Sequence, residues 1–158
     1  MKLRFLLAAV IAAAATQATA GAFTADGVAT GQSATEVVEF GADHRILNSK
    51  STYSKFVMED GTNPMSQLNG PCFGVIEIRG GAAEGGGVCV LDGLEGDRVL
   101  LGWTARRIDP RGQIAGYWTV NSGTGIWLKA SGGGTFISTV NPANGAATNT
   151  IKGAVTLR

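Results

Sequence analysis

Apolar and polar residues alternate along two neighbouring segments in the middle of the chain. Val99–Arg107 places valine, leucine, tryptophan and alanine at every second position, and Gln113–Val120 does the same with isoleucine, glycine, tryptophan and valine. A period of two is that of a β-strand, in which successive side chains point to opposite faces. Asp109–Gly112, between the segments, has proline in second place and glycine last, which is typical of a turn. The pattern predicts two strands joined by a tight turn.

Short β-branched or aromatic runs separated by turn residues continue through the rest of the chain, and no window after residue 20 keeps a helical period over a full helix length. We therefore predict an all-β fold, a single antiparallel domain of about eight strands over residues 36–158. Pattern alone does not separate a sandwich from a barrel, but glycines inside strands (Gly74, Gly102, Gly116, Gly153) favour a β-barrel, whose strands must bend. The predicted strands are Glu36–Phe40, Thr52–Met58, Cys72–Arg79, Val88–Leu91, Val99–Arg107, Gln113–Val120, Gly125–Lys129, Thr135–Val140 and Asn149–Leu157.

The first 20 residues have the order of a secretory signal peptide. Lys2 and Arg4 precede the apolar run Phe5–Ala15, and Ala18–Ala20 is a small-x-small cleavage signal. Eleven apolar residues make only about 16 Å of helix, too short for a hydrocarbon core of about 30 Å. We predict cleavage after Ala20, no membrane span afterwards, and a periplasmic or secreted protein. Residues 21–35 are small and polar, and we predict a loose N-terminal arm there.

The amino-acid composition and charge limit the kinds of partner that the protein is expected to bind. Of 158 residues, 24 are glycine and 16% are charged, against about 25% charged residues in ordinary soluble domains. The formal net charge is +1; without Lys2 and Arg4, 11 basic residues remain against 12 acidic ones, a net charge of −1. This balance offers no electrostatic footprint for nucleic acid or anionic lipid, so we expect neither as a partner. Glycine-rich edges and near-zero charge instead favour self-association, and a homo-oligomer is one predicted assembly.

Cys72 and Cys89 are the only cysteines. In an exported protein an even count favours a disulfide bond. The glycine-rich stretch Gly80–Gly87 predicts the loop of a hairpin whose two strands carry one cysteine each. A redox or metal pair is the alternative, but the chain has no Cys-x-x-Cys and only one histidine, His44, for a tetrahedral site. We predict a structural disulfide and no metal site.

Two glycine turns, each followed by an aromatic residue, lie in the last third of the chain. Gly123–Trp127 reads Gly-Thr-Gly-Ile-Trp, and Gly132–Phe136 reads Gly-Gly-Gly-Thr-Phe. This order resembles the pattern shared by the allene oxide cyclase barrel and the dirigent-like proteins, and the resemblance covers under half of the mature chain. Further features similar to small exported bacterial proteins of this barrel type are the Cys72…Cys89 hairpin, the Asp92–Asp97 turn and Trp103.

The resemblance implies an eight-stranded antiparallel barrel with a hydrophobic cavity. Members of this superfamily include cyclases of unstable lipid epoxides, proteins that steer the radical coupling of phenols, and many proteins without a known activity. No position here matches a family catalytic carboxylate. The catalytic residues are therefore unknown, and the resemblance leaves open whether the protein is an enzyme.

The aromatic residues carry the functional prediction. If Trp103 and Trp118 point inward, they line one wall of the barrel, and polar residues on the same face indicate a binding site. The primary hypothesis is that the barrel binds a small apolar or aromatic molecule in its interior without a cofactor. The alternatives are an interior filled by its own side chains, a cyclase or isomerase that polarises its substrate with a tyrosine or carboxylate, and a structural or interaction protein that uses the barrel exterior. The candidate ligand-binding residues are Trp103, Trp118, Tyr117, Glu77 and Trp127.

Two polar features are weaker candidates. His44 has the chemistry of a general base, but its surroundings, Gly41–Arg45, favour a surface loop. Asp92–Asp97 carries three carboxylates, yet position twelve of a calcium loop starting at Asp92 is Trp103 rather than glutamate. We interpret this segment as a polar hairpin turn.

Overall fold

Residues 21–158 form nine β-strands in the computed structural model, which describes this part of the chain. Consecutive strands from β2 to β9 pair antiparallel, and β9 also pairs with β2, which closes an eight-stranded barrel. The predicted antiparallel barrel is confirmed, whereas the predicted signal peptide lies outside the described residues. The strands are β1 (Gly21–Thr24), β2 (Gly27–Gly41), β3 (His44–Met58), β4 (Gly70–Arg79), β5 (Ala82–Asp92), β6 (Arg98–Ile108), β7 (Ile114–Gly123), β8 (Ser131–Val140) and β9 (Ala146–Leu157).

The segment predicted to be a loose arm belongs to the sheet. β1 pairs with the end of β9, and the first part of β2 pairs with the beginning of β9. Between them, the Gly153 backbone N–H donates to Asp26 Oδ1 at 2.9 Å, across a sequence separation of 127 residues. The prediction of a loose arm is wrong because small polar residues carry little local β-propensity, and their pairing partner lies at the far end of the chain.

The β4–β5 hairpin is tighter than predicted. Gly80 and Gly81, with φ of 55° and 83°, make a two-residue turn, so most of the glycine-rich stretch assigned to the loop is instead strand β5. Cys72 lies directly opposite Cys89 and is bonded to it. The predicted disulfide is confirmed.

One end of the barrel is closed by two connections. The β3–β4 connection contains a 3-10 helix, Pro64–Gln67, and the β7–β8 connection contains another, Gly125–Trp127. A strand predicted over Gly125–Lys129 is therefore wrong: Gly125 has φ 55°, and the chain turns there. Met65, Leu68 and Trp127 from these connections are fully buried, so they seal this end.

A buried asparagine fixes the β3–β4 connection. Asn63 is buried, its Oδ1 accepts from Met65 N–H at 2.9 Å, and its Nδ2 donates to Thr24 O at 2.7 Å. Because both polar atoms are satisfied, burying the amide carries no unpaired group. The connection is thereby held against β1 and closes the barrel firmly.

Candidate functional site

The barrel encloses a cavity of about 410 Å³, a volume typical of small-molecule sites, which span roughly 300–1,000 Å³. Met65 and Leu91 form its floor at the closed end. At the other end, where the β6–β7 and β8–β9 turns lie, Gly112, Asn141 and Pro142 border its mouth. The interior is therefore hollow above the sealed end, rather than filled throughout.

Aromatic and aliphatic side chains make up most of the lining. Trp103 and Phe136 meet edge to face, with ring centroids 6.3 Å apart, a favourable arrangement for aromatic pairs. Trp118 is buried beside them, and its indole N–H donates to Lys152 O at 3.3 Å. Since that polar group is already bonded to the backbone, Trp118 presents an apolar ring to the cavity.

Two facing glycines make room for Trp103. Gly74 and Gly87 lie opposite each other on β4 and β5, and a Cβ on either would overlap the Trp103 indole. Glycine is required at both positions because the Trp103 indole comes so close to the backbone, and not because either residue has a positive φ. Their absence of side chains lets the indole lie flat against the barrel wall, which leaves the cavity open.

Hydroxyl groups cover the wall formed by β2 and β3. Ser51 Oγ donates to Ser33 Oγ at 3.0 Å, Ser33 Oγ lies 3.4 Å from Ser49 Oγ, and Thr35 Oγ1 donates to Ser49 Oγ at 3.4 Å. All four line the cavity. The site thus combines an apolar floor with one hydroxyl-rich wall, and within residues 21–158 its lining contains no charged side chain.

Tyr53 is a buried cavity residue whose phenol can donate a hydrogen bond, as a catalytic acid does. Its Oη accepts a hydrogen bond from Asn149 Nδ2 at 3.3 Å, and the hydroxyls of Ser51 and Ser138 lie close to it. The phenol therefore keeps its own proton to donate, either to a serine hydroxyl or to a ligand oxygen. Asn149 Oδ1 is buried and has no hydrogen-bond partner among the described residues. Together the two side chains offer one donor and one acceptor to a bound molecule.

We expect the Tyr53 phenol to titrate above its ordinary pKa of 10.0, because burial raises the pKa more than its hydrogen bonds, that of Asn149 first, lower it. The folded protein then holds this proton more tightly than the unfolded chain does. The contribution of Tyr53 to the free energy of unfolding should stay constant up to about pH 10 and decline above it. Absorbance at tyrosinate wavelengths in Tyr117→Phe, which leaves Tyr53 as the one tyrosine, measures the midpoint directly.

Tyr53→Phe is the control for that titration, because it should abolish the decline in stability above pH 10. A midpoint at or below 10.0 in Tyr117→Phe would show that Tyr53 is solvated, contrary to the structure.

The structure divides the five sequence-predicted site residues into three groups. Trp103 and Trp118 line the cavity. Trp127 is 1% exposed but belongs to the sealed end, below the cavity floor. Tyr117, 55% exposed, and Glu77 point to the outside of the barrel. The prediction that Tyr117 and Glu77 face inward is wrong, because each lies next to an inward-facing residue, Trp118 or Ile76, and neighbours in a strand face opposite sides.

Glu77 instead belongs to a charged group on the barrel exterior. Its carboxylate pairs with Arg79, and His44 Nε2 lies 2.8 Å from Glu77 Oε1. The positive charge of Arg79 lowers the pKa of Glu77, and the hydrogen bond between the two side chains lowers it further. His44 therefore faces away from the cavity, and the group is a solvated rim rather than a site for acid–base chemistry.

The sequence reasoning did not assign the hydroxyl wall or Asn149 to the site. Their signal is alternation: Ser33 and Thr35 on β2, and Ser49 and Ser51 on β3, occupy every second position. Residues 21–158 contain no cluster of His, Cys, Asp or Glu able to hold a metal ion. Within the same residues, no helix is long and apolar enough to cross a bilayer.

Comparison with known proteins identifies the fold. No family model and no curated protein matches the sequence. Among solved structures, the pterocarpan synthase dirigent protein matches with a TM-score of 0.52 over 87% of this chain and 91% of that one, at 13% sequence identity. The barrel is dirigent-like. The sequence resemblance named two families. For the dirigent-like proteins it is confirmed at the level of the fold, and for the allene oxide cyclases it stays a prediction.

Proposed function

We propose that this protein binds a small, uncharged, apolar or aromatic molecule inside its barrel. The cavity carries the proposal, since about 410 Å³ of space is bordered by tryptophan, phenylalanine and aliphatic side chains. A charged ligand would lose its hydration without gaining an ionic partner in the described lining, which is costly. An uncharged ligand loses little and buries apolar surface.

The dirigent-like fold supports the proposal, because the matched structure is that of a pterocarpan synthase. We also propose that the protein is exported, as the apolar N-terminal run predicts. A disulfide bond supports this location, because such bonds persist in oxidising compartments.

The test is a titration with 1-aminoanthracene, an uncharged aromatic probe. We expect saturable binding with one probe per barrel, accompanied by quenching of Trp103 and Trp118. Ser138→Phe places a ring inside the cavity and should weaken binding at least about ten-fold, a change of about 1.4 kcal/mol. Ile137→Phe is the matched control, since its neighbouring side chain on β8 is exposed on the barrel exterior.

Binding that is absent, or that both variants weaken equally, would contradict the proposal. In the first case the cavity is unused by this class of molecule. In the second case the probe binds the barrel exterior.

A cyclase or isomerase is the second candidate, and Tyr53 favours it. Its phenol has the geometry to donate to a carbonyl or epoxide oxygen of a molecule in the cavity, which would polarise that group. A carboxylate, the other group considered for this role, is absent from the described lining.

Comparing the binding of naphthalene with that of 1-naphthaldehyde tests the role of Tyr53. Wild type should bind the carbonyl compound more tightly and shift its absorption, and Tyr53→Phe should remove both differences. An unchanged carbonyl preference in Tyr53→Phe would exclude the tyrosine.

A further inference from the structure

One edge of β2 has no neighbouring strand over its second half. β3 accompanies β2 to the hairpin turn, but β9 pairs only with Gly27–Gln32. The last contact on that side is the hydrogen bond from Ser33 N–H to Gly145 O at 2.8 Å. Beyond it, the overhang, defined as Ala34–Gly41, projects past the open end of the barrel with one edge unpaired among residues 21–158.

The opposite end of the barrel shows that such an edge can be covered. Barrel closure requires neighbouring strands to be staggered, so β9 extends past β2 at the sealed end just as β2 extends past β9 at the open end. There, β1 pairs with the extension of β9, Gly21 opposite Leu157 and Thr24 opposite Ala154. The described chain thus covers one extension with its own strand and leaves the other free.

We propose that the overhang pairs with the overhang of a second copy of this chain, which makes a two-fold symmetric dimer with one sheet continuous between the barrels. An unpaired edge with apolar side chains is a template for strand addition. Val37, Val38 and Phe40 on this edge are all exposed. This inference is independent of what the cavity binds.

The backbone limits how two overhangs can pair. Because Ser33 N–H points toward β9, the N–H and C=O groups of Thr35, Val37 and Glu39 point to the free edge, since these groups alternate along a strand. When two overhangs pair antiparallel, the residues whose backbone groups point to the shared edge must lie opposite one another. Odd-numbered residues of one copy therefore lie opposite odd-numbered residues of the other. The two-fold axis then passes between a residue and the same residue of the second copy.

Charge selects among the registers. An axis at Glu36 or Glu39 would set two carboxylates directly opposite, which is unfavourable. An axis at Val37 places Glu36 opposite Val38 and Glu39 opposite Thr35, and an axis at Val38 places Glu36 opposite Phe40 and Glu39 opposite Val37. Both keep every glutamate opposite an uncharged residue.

The glutamates also favour a second copy over a basic partner. Arg45 lies directly opposite Glu39 on β3, and Lys50 lies opposite Ala34, on the same face as Glu36. Each glutamate therefore has a basic residue directly opposite or diagonal to it in the same hairpin, which offsets part of its charge. With this partial offset, pairing of the overhang does not require a cationic strand.

Dimerisation would also extend the binding site. Thr35 and Val37 line the cavity, and the pairing sets the partner's Val37 in the same row of side chains. Each copy thus contributes apolar surface to the mouth of the other.

Sedimentation velocity of the purified protein over the micromolar range tests the inference. We expect a monomer–dimer equilibrium and nothing larger, because pairing of identical edges closes at two copies. Val38→Glu should raise the dissociation constant at least ten-fold, about 1.4 kcal/mol, since the new carboxylate faces either Glu36 or its own counterpart. Val75→Glu is the matched control: Val75 is 50% exposed against 44% for Val38, but it lies on β4 away from the edge. Its dimer should be unchanged.

Val37→Pro is a second variant that spares the β2–β3 ladder, because the N–H it removes points to the free edge. It should dissociate the dimer with an unchanged circular dichroism spectrum. A protein that stays monomeric, a trimer or larger assembly, or a dimer that Val38→Glu and Val75→Glu affect equally would overturn the inference.

Discussion

Replacing Trp127 by alanine should lower the free energy of unfolding by about 3–5 kcal/mol, the cost of removing a large aromatic side chain from a packed core. Among residues 21–158, Trp127 has the largest of the fully buried side chains, and its 3-10 helix holds it across the sealed end of the barrel. Its removal leaves space that the closed end cannot fill by collapse. Urea denaturation followed by circular dichroism measures the loss.

Trp103→Ala is the matched control for that loss. The Trp103 indole borders existing empty space, so its removal enlarges a cavity that is already present and removes fewer packing contacts. We expect a clearly smaller loss of stability than for Trp127→Ala. Equal losses would show that the two ends of the barrel are packed alike, contrary to a sealed end and an open one.

Removing the disulfide should destabilise the protein by about 3 kcal/mol, the chain-entropy value for a loop of this size. Cys72 and Cys89 are 17 residues apart, and the double variant Cys72→Ala/Cys89→Ala frees that loop in the unfolded chain. The same loss should appear when the unaltered protein is denatured under reducing conditions. Agreement between the two experiments assigns the effect to the crosslink rather than to packing of the replaced side chains.

A loss below about 1 kcal/mol in both experiments would show that the β4–β5 hairpin holds its register without the bond. It would also weaken the case for export, because the stability of the protein would then be the same in a reducing compartment.

The sequence was most informative where apolar alternation is regular. β6 and β7 follow the period of two closely enough that Trp103 and Trp118 both face inward, as their spacing predicts. The same alternation sets Tyr117 and Glu77 outside, so strand parity already contained the information that excludes them. Choosing them for their chemistry, without regard to the face they occupy, led to the error.

Elsewhere the decisive interactions are non-local. Nothing near Gly21–Thr35 indicates that its partner is the last strand, and its small residues have weak propensity for any structure. Trp127 looked like a strand residue because it follows a glycine turn, but burial in the sealed end determines its place. The hydroxyl wall emerges only when β2 and β3 are set side by side.

A crystal structure of the protein grown with 1-aminoanthracene tests directly whether the barrel binds an aromatic molecule in its interior. We predict the probe inside the barrel, with its rings against Trp118 and Phe136 and its amine near Tyr53 or the hydroxyl wall. A barrel whose interior has no space larger than a water molecule, or a probe held only on the outer surface, would contradict this prediction.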